Sequence, residues 1–277
     1  MIRFLILTGY FELMMYLQLT GKLDQFINVH YRYLAILSMI LSFLLAMVQL
    51  SLWVKDTKHE HHTHDGHEHG LTKRYQRVIA YGLLALPIII GLFFPTVSLD
   101  TTIVDAKGFN FPVSKESVGD PEMKTQYLQP NTSLYYNKGD YQEQMDHLMQ
   151  EYGDEGTLKI TDENYLEVME LIYNYPSEFI GRKVVFEGFV YHAQQDETLD
   201  DFVFRFGIIH CVADSGVFGL RVSMPEGTKV ADDDWVHIEG VIQSEFYQPF
   251  KRDLPMVAVD KVQLIEPPEN QYVYRSF

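Results

Sequence analysis

The chain has 277 residues with 22 Lys/Arg and 38 Asp/Glu, and its formal net charge is −16. Residues 1–96 hold 8 of the basic and 6 of the acidic side chains, so the other 14 basic and 32 acidic residues make the remainder strongly negative. Such an acidic domain repels phosphate backbones, which argues against nucleic acid as a partner, and the single cysteine excludes an intramolecular disulfide.

The N-terminal part contains three long apolar runs, at about 2–20, 33–54 and 78–97. The second and third runs carry no charge and are long enough to cross a bilayer at about 1.5 Å per residue, so they are predicted to be transmembrane helices. The first run carries Glu12 in its middle, and a signal peptide is the competing interpretation. Residues 21–24 lack a small-x-small cleavage site, which favours an uncleaved span.

Glu12 is itself a candidate functional residue. A carboxylate within a span usually faces the interior of a helix bundle or a partner subunit. We therefore expect Glu12 to meet one of these two environments. The alternative to direct transport chemistry is a carboxylate that is protonated or shielded by a partner.

A histidine-rich tract lies in the predicted loop 55–77, between the second and third spans, and contains six of the 11 histidines. Neutral imidazole is the commonest metal-binding side chain, so the tract predicts binding of Zn²⁺ or another divalent transition-metal ion. The alternative is a solvated polar loop without a metal role. The candidate metal ligands are His59, His61, His62, His64, His67 and His69.

Basic residues predict the orientation of the spans. The loop 55–77 holds five Lys/Arg, whereas the first loop holds only Lys22 and Arg32. Because positively charged loops stay on the cytoplasmic side, the histidine tract is predicted to be cytoplasmic and residues 98–277 extracytoplasmic. The membrane domain would then comprise residues 1–97.

The C-terminal part is predicted to contain two regions. Residues 98–160 suggest an irregular α/β connection with a short helix at 141–151 and a strand at 158–160. Thr161 offers an N-cap for a helix that ends before Pro176. Five β-rich segments with turn residues between them follow, at 184–193, 201–214, 217–224, 235–247 and 256–266.

The fold class predicted from these elements is an α+β membrane protein. Transmembrane helices would be followed by a soluble, mostly β domain, 161–277, with a helix and an OB-like five-stranded barrel. Gly188 and Gly240 fall inside strands, where a small closed barrel bends.

One group of residues within the barrel could bind a metal: His210, Cys211 and Asp214. Adjacent strand residues point to opposite faces, so His210 and Cys211 cannot both point inward unless the strand bends there. His192 and His237 are further candidates on neighbouring strands. The alternative is a small buried cysteine beside an aspartate that caps the end of the strand.

Several modest motifs follow one another in a specific order: Thr20–Leu23 with Phe26–Asn28, a polar loop after the second span, Gly181–Val184 with Gly188–Val190, Cys211–Asp214, and Trp235–Val236 with Gly240. Their order resembles that of the YcgQ-like family of bacterial permease subunits. The resemblance covers nearly the full length and implies a multi-span permease as partner. Family members usually have two adjacent cysteines where this chain has His210 and Cys211, which puts dithiol chemistry there in doubt.

These observations predict an accessory subunit of a membrane permease complex that handles a transition metal or a metal-related solute. The alternative is a standalone extracytoplasmic binding or assembly module, anchored in the membrane, in which the histidine loop is incidental. No nucleophile–base pair, phosphate-binding loop or HExxH motif appears, so an enzyme is not expected.

Overall fold

The computed structural model describes residues 1–56, 73–94, 101, 104, 138–154, 156–195, 198–247 and 252–276. The chain divides into two compact units, Met1–Ser98 and Leu99–Phe277. The six histidines of the predicted metal tract lie outside the described residues.

The described residues of the first unit include three long helices, and the three apolar helices predicted from the sequence are confirmed. They are α1 (Ile2–Leu19), α2 (Arg32–Asp56) and α3 (Arg74–Phe93), and short 3-10 turns lie between α1 and α2. Each helix is long and apolar enough to cross a membrane by length and composition. Helix α3 begins four residues before the predicted run, and at its N-terminus the Lys73 N–H donates a hydrogen bond to Gln76 Oε1 at 3.2 Å.

Helix α1 packs against both of the other helices in this unit. A Cβ atom on Gly91 of α3 would lie 2.6 Å from Leu13 Cδ1, so the glycine permits a close approach to α1. On the side of α2, the rings of Phe11 and Phe43 have centroids 5.4 Å apart. Gly91 therefore lies at a close contact between helices, whereas a Cβ on Gly82 would meet nothing within 4 Å.

Among its described residues, the second unit contains helices α4 (Lys138–Tyr152), α5 (Tyr165–Asn174) and α6 (Pro176–Phe179). The prediction that Thr161 caps α5 is wrong, because the N-cap is Asn164. The Thr161 N–H donates to Asn164 Oδ1 at 2.8 Å, and this turn delays the start of the helix.

In the described part of the second unit, seven strands form one sheet, and five of them close into a ring. The order β1-β2-β5-β6-β4-β3-β7 is completed by a further pairing between β2 and β3. Within the ring only β4 and β6 run parallel, and β1 and β7 add parallel edges to β2 and β3. The strands are β1 (Leu158–Lys159), β2 (Lys183–Gln195), β3 (Thr198–Ile208), β4 (Gly216–Ser223), β5 (Trp235–Tyr247), β6 (Arg252–Leu264) and β7 (Tyr272–Tyr274).

The ring strands follow the five predicted segments, with one correction. The strand predicted at 201–214 ends at Ile208, and Val212–Asp214 forms a 3-10 turn instead. Gly240 lies at a register shift between β5 and β6, which agrees with the expected irregularity there.

Both faces of the ring strands carry buried hydrophobic side chains. Because side chains alternate along a strand, β2 contributes Val184, Phe186 and Val190 to one cluster and Phe189 and Tyr191 to another. The first cluster includes helix α5, whereas the second is mainly aromatic and includes Val104. Helix α5 is therefore an integral part of the core.

Candidate functional site

The predicted group at the end of β3 forms a turn that is closed by Asp214. Its carboxylate accepts hydrogen bonds from the backbone N–H of His210 at 3.1 Å and of Cys211 at 2.8 Å. The ring atom His210 Nδ1 lies 2.7 Å from Asp214 Oδ2. Cys211 contacts Asp214 through its backbone N–H. Asp214 therefore has the geometry of an aspartate that caps the end of a strand, which was the alternative to a metal site.

The described geometry does not assemble a metal site from these residues. Cys211 is a free, half-buried cysteine. No group of three or more His, Cys, Asp or Glu side chains able to hold a metal ion occurs in the part of the chain that the structure describes. A metal role for His210, Cys211 and Asp214 stays a prediction, as it does for the histidine tract.

The two further histidine candidates each pair with carboxylates of their own surroundings. His192 Nδ1 lies 2.8 Å from Asp232 Oδ1, and its Nε2 lies 3.6 Å from Asp201 Oδ1. His237 Nδ1 lies 2.9 Å from Glu187 Oε1 across the β2–β5 pair. Burial raises the pKa of the Asp201 carboxyl, while the neighbouring His192 opposes that shift.

Glu12 occupies the side of α1 that faces neither α2 nor α3. Its side chain is exposed, whereas the adjacent Phe11 contacts α2 and Leu13 contacts α3. The structure gives its carboxylate no hydrogen bond or ion pair with any described residue. Among the described residues, Glu12 therefore does not face the other two helices, and a partner for its carboxylate stays a prediction.

A buried ionic cluster ties the C-terminal segment to α5. Arg275 is 1 % exposed and pairs with Glu170, and its Nε lies 4.0 Å from Glu167 Oε1. Ser276 donates to the same Glu167 oxygen from its N–H at 2.8 Å and from its hydroxyl at 2.6 Å. The Tyr141 hydroxyl donates to Glu170 Oε1 at 2.7 Å, which adds α4 to the cluster.

This ionic cluster was not predicted from the sequence. Glu167 and Glu170 are spaced i, i+3 among the apolar residues of α5, and that spacing was the available signal. A buried glutamate pair requires a cation, because charges are almost never buried unpaired. The sequence does not show that the cation comes from Arg275, which lies 105 residues beyond Glu170.

A second buried cation, Arg205 on β3, is also 1 % exposed. Its guanidinium lies 4.9 Å from the Trp235 ring centroid and 5.9 Å from that of Tyr165. It donates to Asp162 at 2.8 Å and to the carbonyls of Asn270 and Gln271 at 3.3 and 3.4 Å. Arg205 thus anchors the residues just before β7, and Arg275 anchors those just after it.

These features define a class: a protein with three membrane-type helices joined to an acidic sheet unit whose C-terminal segment is anchored by buried arginines. Comparison with known families then identifies it further. The DUF1980 N-terminal domain matches residues 2–110, and the DUF1980 C-terminal domain matches residues 135–275. The chain belongs to the DUF1980 family, and its resemblance to YcgQ-like proteins is confirmed.

Two relatives are similar along their entire length. A Streptococcus mutans protein named "Putative two-component membrane permease complex subunit" is 45 % identical over 281 residues, covering 100 % of both chains. The Bacillus subtilis protein named "UPF0703 protein YcgQ" is 41 % identical over 287 residues, again covering 100 % of both. No solved structure matches the chain.

Proposed function

We propose that this chain is an accessory subunit of a two-component membrane permease complex. The observation that carries the proposal is the 45 % identity, over the whole of both chains, to the streptococcal relative that bears such a name. The three membrane-type helices support a membrane location. The role is proposed to be non-enzymatic, in keeping with that name.

The first unit is proposed to attach the chain to a multi-span permease. Pores and transport pathways are lined by rings of carbonyls or charged side chains, or by polar hydrogen-bonding groups. The three apolar runs hold one acidic residue, Glu12, which is little material for a pathway of their own. A partner subunit would therefore provide the solute pathway.

The second unit is proposed to lie outside the cytoplasm and to act as an OB-like interaction module. The five-stranded ring supports the OB-like assignment through its strand number and its non-sequential strand order. The five Lys/Arg of loop 55–77 support the orientation. A finer proposal is that the histidine tract buffers or senses cytoplasmic Zn²⁺ or a related ion. The composition of the tract is the only support for this metal role.

Labelling of cysteine tests the orientation, because Cys211 is the single cysteine and is half-buried. We expect a membrane-impermeant thiol reagent to label Cys211 in intact cells. In a Cys211→Ser background, His64→Cys should be labelled only after the cells are permeabilised. Labelling of both positions from the same side would contradict the topology.

Co-purification tests the subunit role itself. The full-length chain carrying an affinity tag should be extracted from its native membrane in mild detergent and purified. We expect one multi-span membrane protein to be recovered in a fixed ratio to the chain. Recovery of the chain alone, under conditions that keep a known membrane complex intact, would contradict the proposal.

The second candidate function is a standalone extracytoplasmic module, which the separate core of the sheet unit favours. Deletion of residues 59–69 distinguishes a metal role of the histidine tract from a standalone module in which the tract is incidental. If the tract handles metal, the deletion should lower the amount of Zn²⁺ bound by the purified chain and alter metal tolerance. Unchanged tolerance and uptake would favour the standalone module.

A further inference from the structure

Helix α1 presents an exposed stripe that contains Glu12. Positions spaced alternately by three and four residues share one face of a helix, the spacing at which two helices pack along a common seam. Leu5 and Met15 on this face are 55 % and 38 % exposed, and Leu19 is 80 % exposed. The exposed stripe consists of the exposed Leu5, Glu12, Met15 and Leu19 together with the half-buried Thr8.

The exposed stripe is the side of α1 that the first unit leaves open. Phe11 and Gln18 contact α2, and Leu13 contacts α3. An apolar groove of about 230 Å³ between α1 and α3 borders the stripe at Leu5. Lipid alone could cover an apolar helix face. The polar residue Glu12 in the middle of the stripe therefore determines which partner we expect there.

Glu12 makes lipid an unfavourable neighbour. It is the eleventh residue of the 18-residue helix α1, so it lies about 15 Å from the start of the helix, near the middle of a bilayer core about 30 Å thick. A carboxylate at that depth is expensive when it faces lipid and almost always meets a partner group. No described residue supplies one.

We propose that the exposed stripe of α1 docks a transmembrane helix of the permease partner, and that this helix carries a Lys, Arg or other hydrogen-bond donor opposite Glu12. This inference rests on the proposed function and specifies the surface involved. Charge complementarity selects this occupant over a second copy of the chain. A symmetric pair would place Glu12 against Glu12, and two like charges in a site of low dielectric repel each other.

Photo-crosslinking from the full-length chain in native membranes tests the position of the stripe. A photo-reactive residue would replace Thr8 or Met15 on the stripe, and as matched controls Leu41 of α2 or Leu83 of α3, which are 49 % and 64 % exposed. We expect crosslinks to the multi-span partner from the two stripe positions and not from the controls. Equal crosslinking from the controls, or crosslinks to a second copy only, would overturn the proposal.

Substitution of Glu12 tests the role of the carboxylate. Hydrogen bonds between transmembrane helices have modest energies, so we expect Glu12→Leu to lower recovery of the partner about fivefold, and Glu12→Gln less. Gln18→Leu, which removes a polar group from the α2 side of the same helix, should leave recovery unchanged. Equal membrane levels of all variants show that each inserts normally.

The outcomes separate this inference from the proposed function. If the unsubstituted chain recovers no multi-span protein, the proposed function fails and the inference fails with it. If the unsubstituted chain recovers the partner and Glu12→Leu recovers it equally well, only the inference is overturned. A Lys or Arg in the crosslinked partner helix whose change to Glu is rescued by Glu12→Lys would support it most directly.

Discussion

At the scale of single residues, buried polar groups in the second unit hold the C-terminal segment against helix α5. Arg275, Glu167 and Glu170 are each at most 4 % exposed, so each charge depends on its partners in place of water. Removal of one member of such a cluster is costly because it leaves the opposite charge buried and uncompensated. The cluster therefore acts as a single unit that fixes the C-terminal segment on α5.

We predict that Arg275→Met lowers the free energy of unfolding by about 3–5 kcal/mol, because two buried carboxylates would lose their cation. Urea unfolding of the full-length protein in detergent, followed by near-UV circular dichroism, measures the change. Lys261→Met is the matched control, since its pair with Glu239 is exposed and should contribute little. Equal effects of the two substitutions would contradict the role assigned to the cluster.

Tyr165 illustrates a polar group whose burial carries a cost. Its hydroxyl is buried and has no hydrogen-bond partner among the residues that the structure describes. Burial raises the pKa of Tyr165 far above its ordinary value, and the positive charge of Arg205 opposes this shift only in part. Burial likewise raises the pKa of Tyr141, helped by the negative charge of Glu170.

These shifts predict unfolding at alkaline pH. The folded state keeps the two phenols neutral, while in the unfolded chain they ionise near pH 10, so stability is full below about pH 10 and falls as pH rises above it. Tyr165→Phe removes one such group and should make the alkaline decline shallower. At pH 7 the same variant should be within about 1 kcal/mol of the unsubstituted protein, or more stable.

Unfolding midpoints measured from pH 7 to pH 11 check this prediction. A Tyr165→Phe variant that unfolds at alkaline pH along an unchanged curve would argue against a buried neutral phenol at this position.

At the scale of elements, hydrophobic patterning was sufficient to find the helices of the membrane unit and the five ring strands. Alternation and helical spacing are local signals, so they can be read without knowledge of the fold. The sequence did not reveal the end of β3, because residues 209–214 continue an apolar pattern. The structure shows that hydrogen bonds to the Asp214 carboxylate end the strand.

The edge strand β7 and the long-range ion pairs could not be predicted from the sequence. Strand β7 has three residues, which is too short for alternation to be recognised. The pairing of Arg275 with α5 and the exposure of Glu12 depend on which elements become neighbours. Packing determines which elements become neighbours, and a single sequence does not show that packing directly.

The turn at the end of β3 leads to a further prediction. Asp214→Ala removes the acceptor of several hydrogen bonds and should lower stability by about 1–2 kcal/mol, whereas Asp214→Asn keeps one acceptor oxygen and should lower it less. Thermal unfolding in the presence of a chelator and of Zn²⁺ measures both variants. We expect the same loss in both conditions, and a loss confined to Zn²⁺ would assign Asp214 to a metal site.

At the scale of the whole molecule, the two units differ in both composition and proposed task. The acidic residues are concentrated in the second unit, while the apolar runs and the histidine tract belong to the first. The proposed topology puts the tract and Cys211 on opposite sides of the membrane. One metal site built from both is then not expected, and the tract would act separately from the sheet unit.

The mass of the intact particle tests the central claim, a two-component complex, most directly. The chain has a mass of 32.3 kDa. Native mass spectrometry of the tagged protein, released from mild detergent after purification from its own membrane, should give this mass plus that of one multi-span membrane protein. A particle of 32.3 kDa, or of a simple multiple of it, would contradict the account.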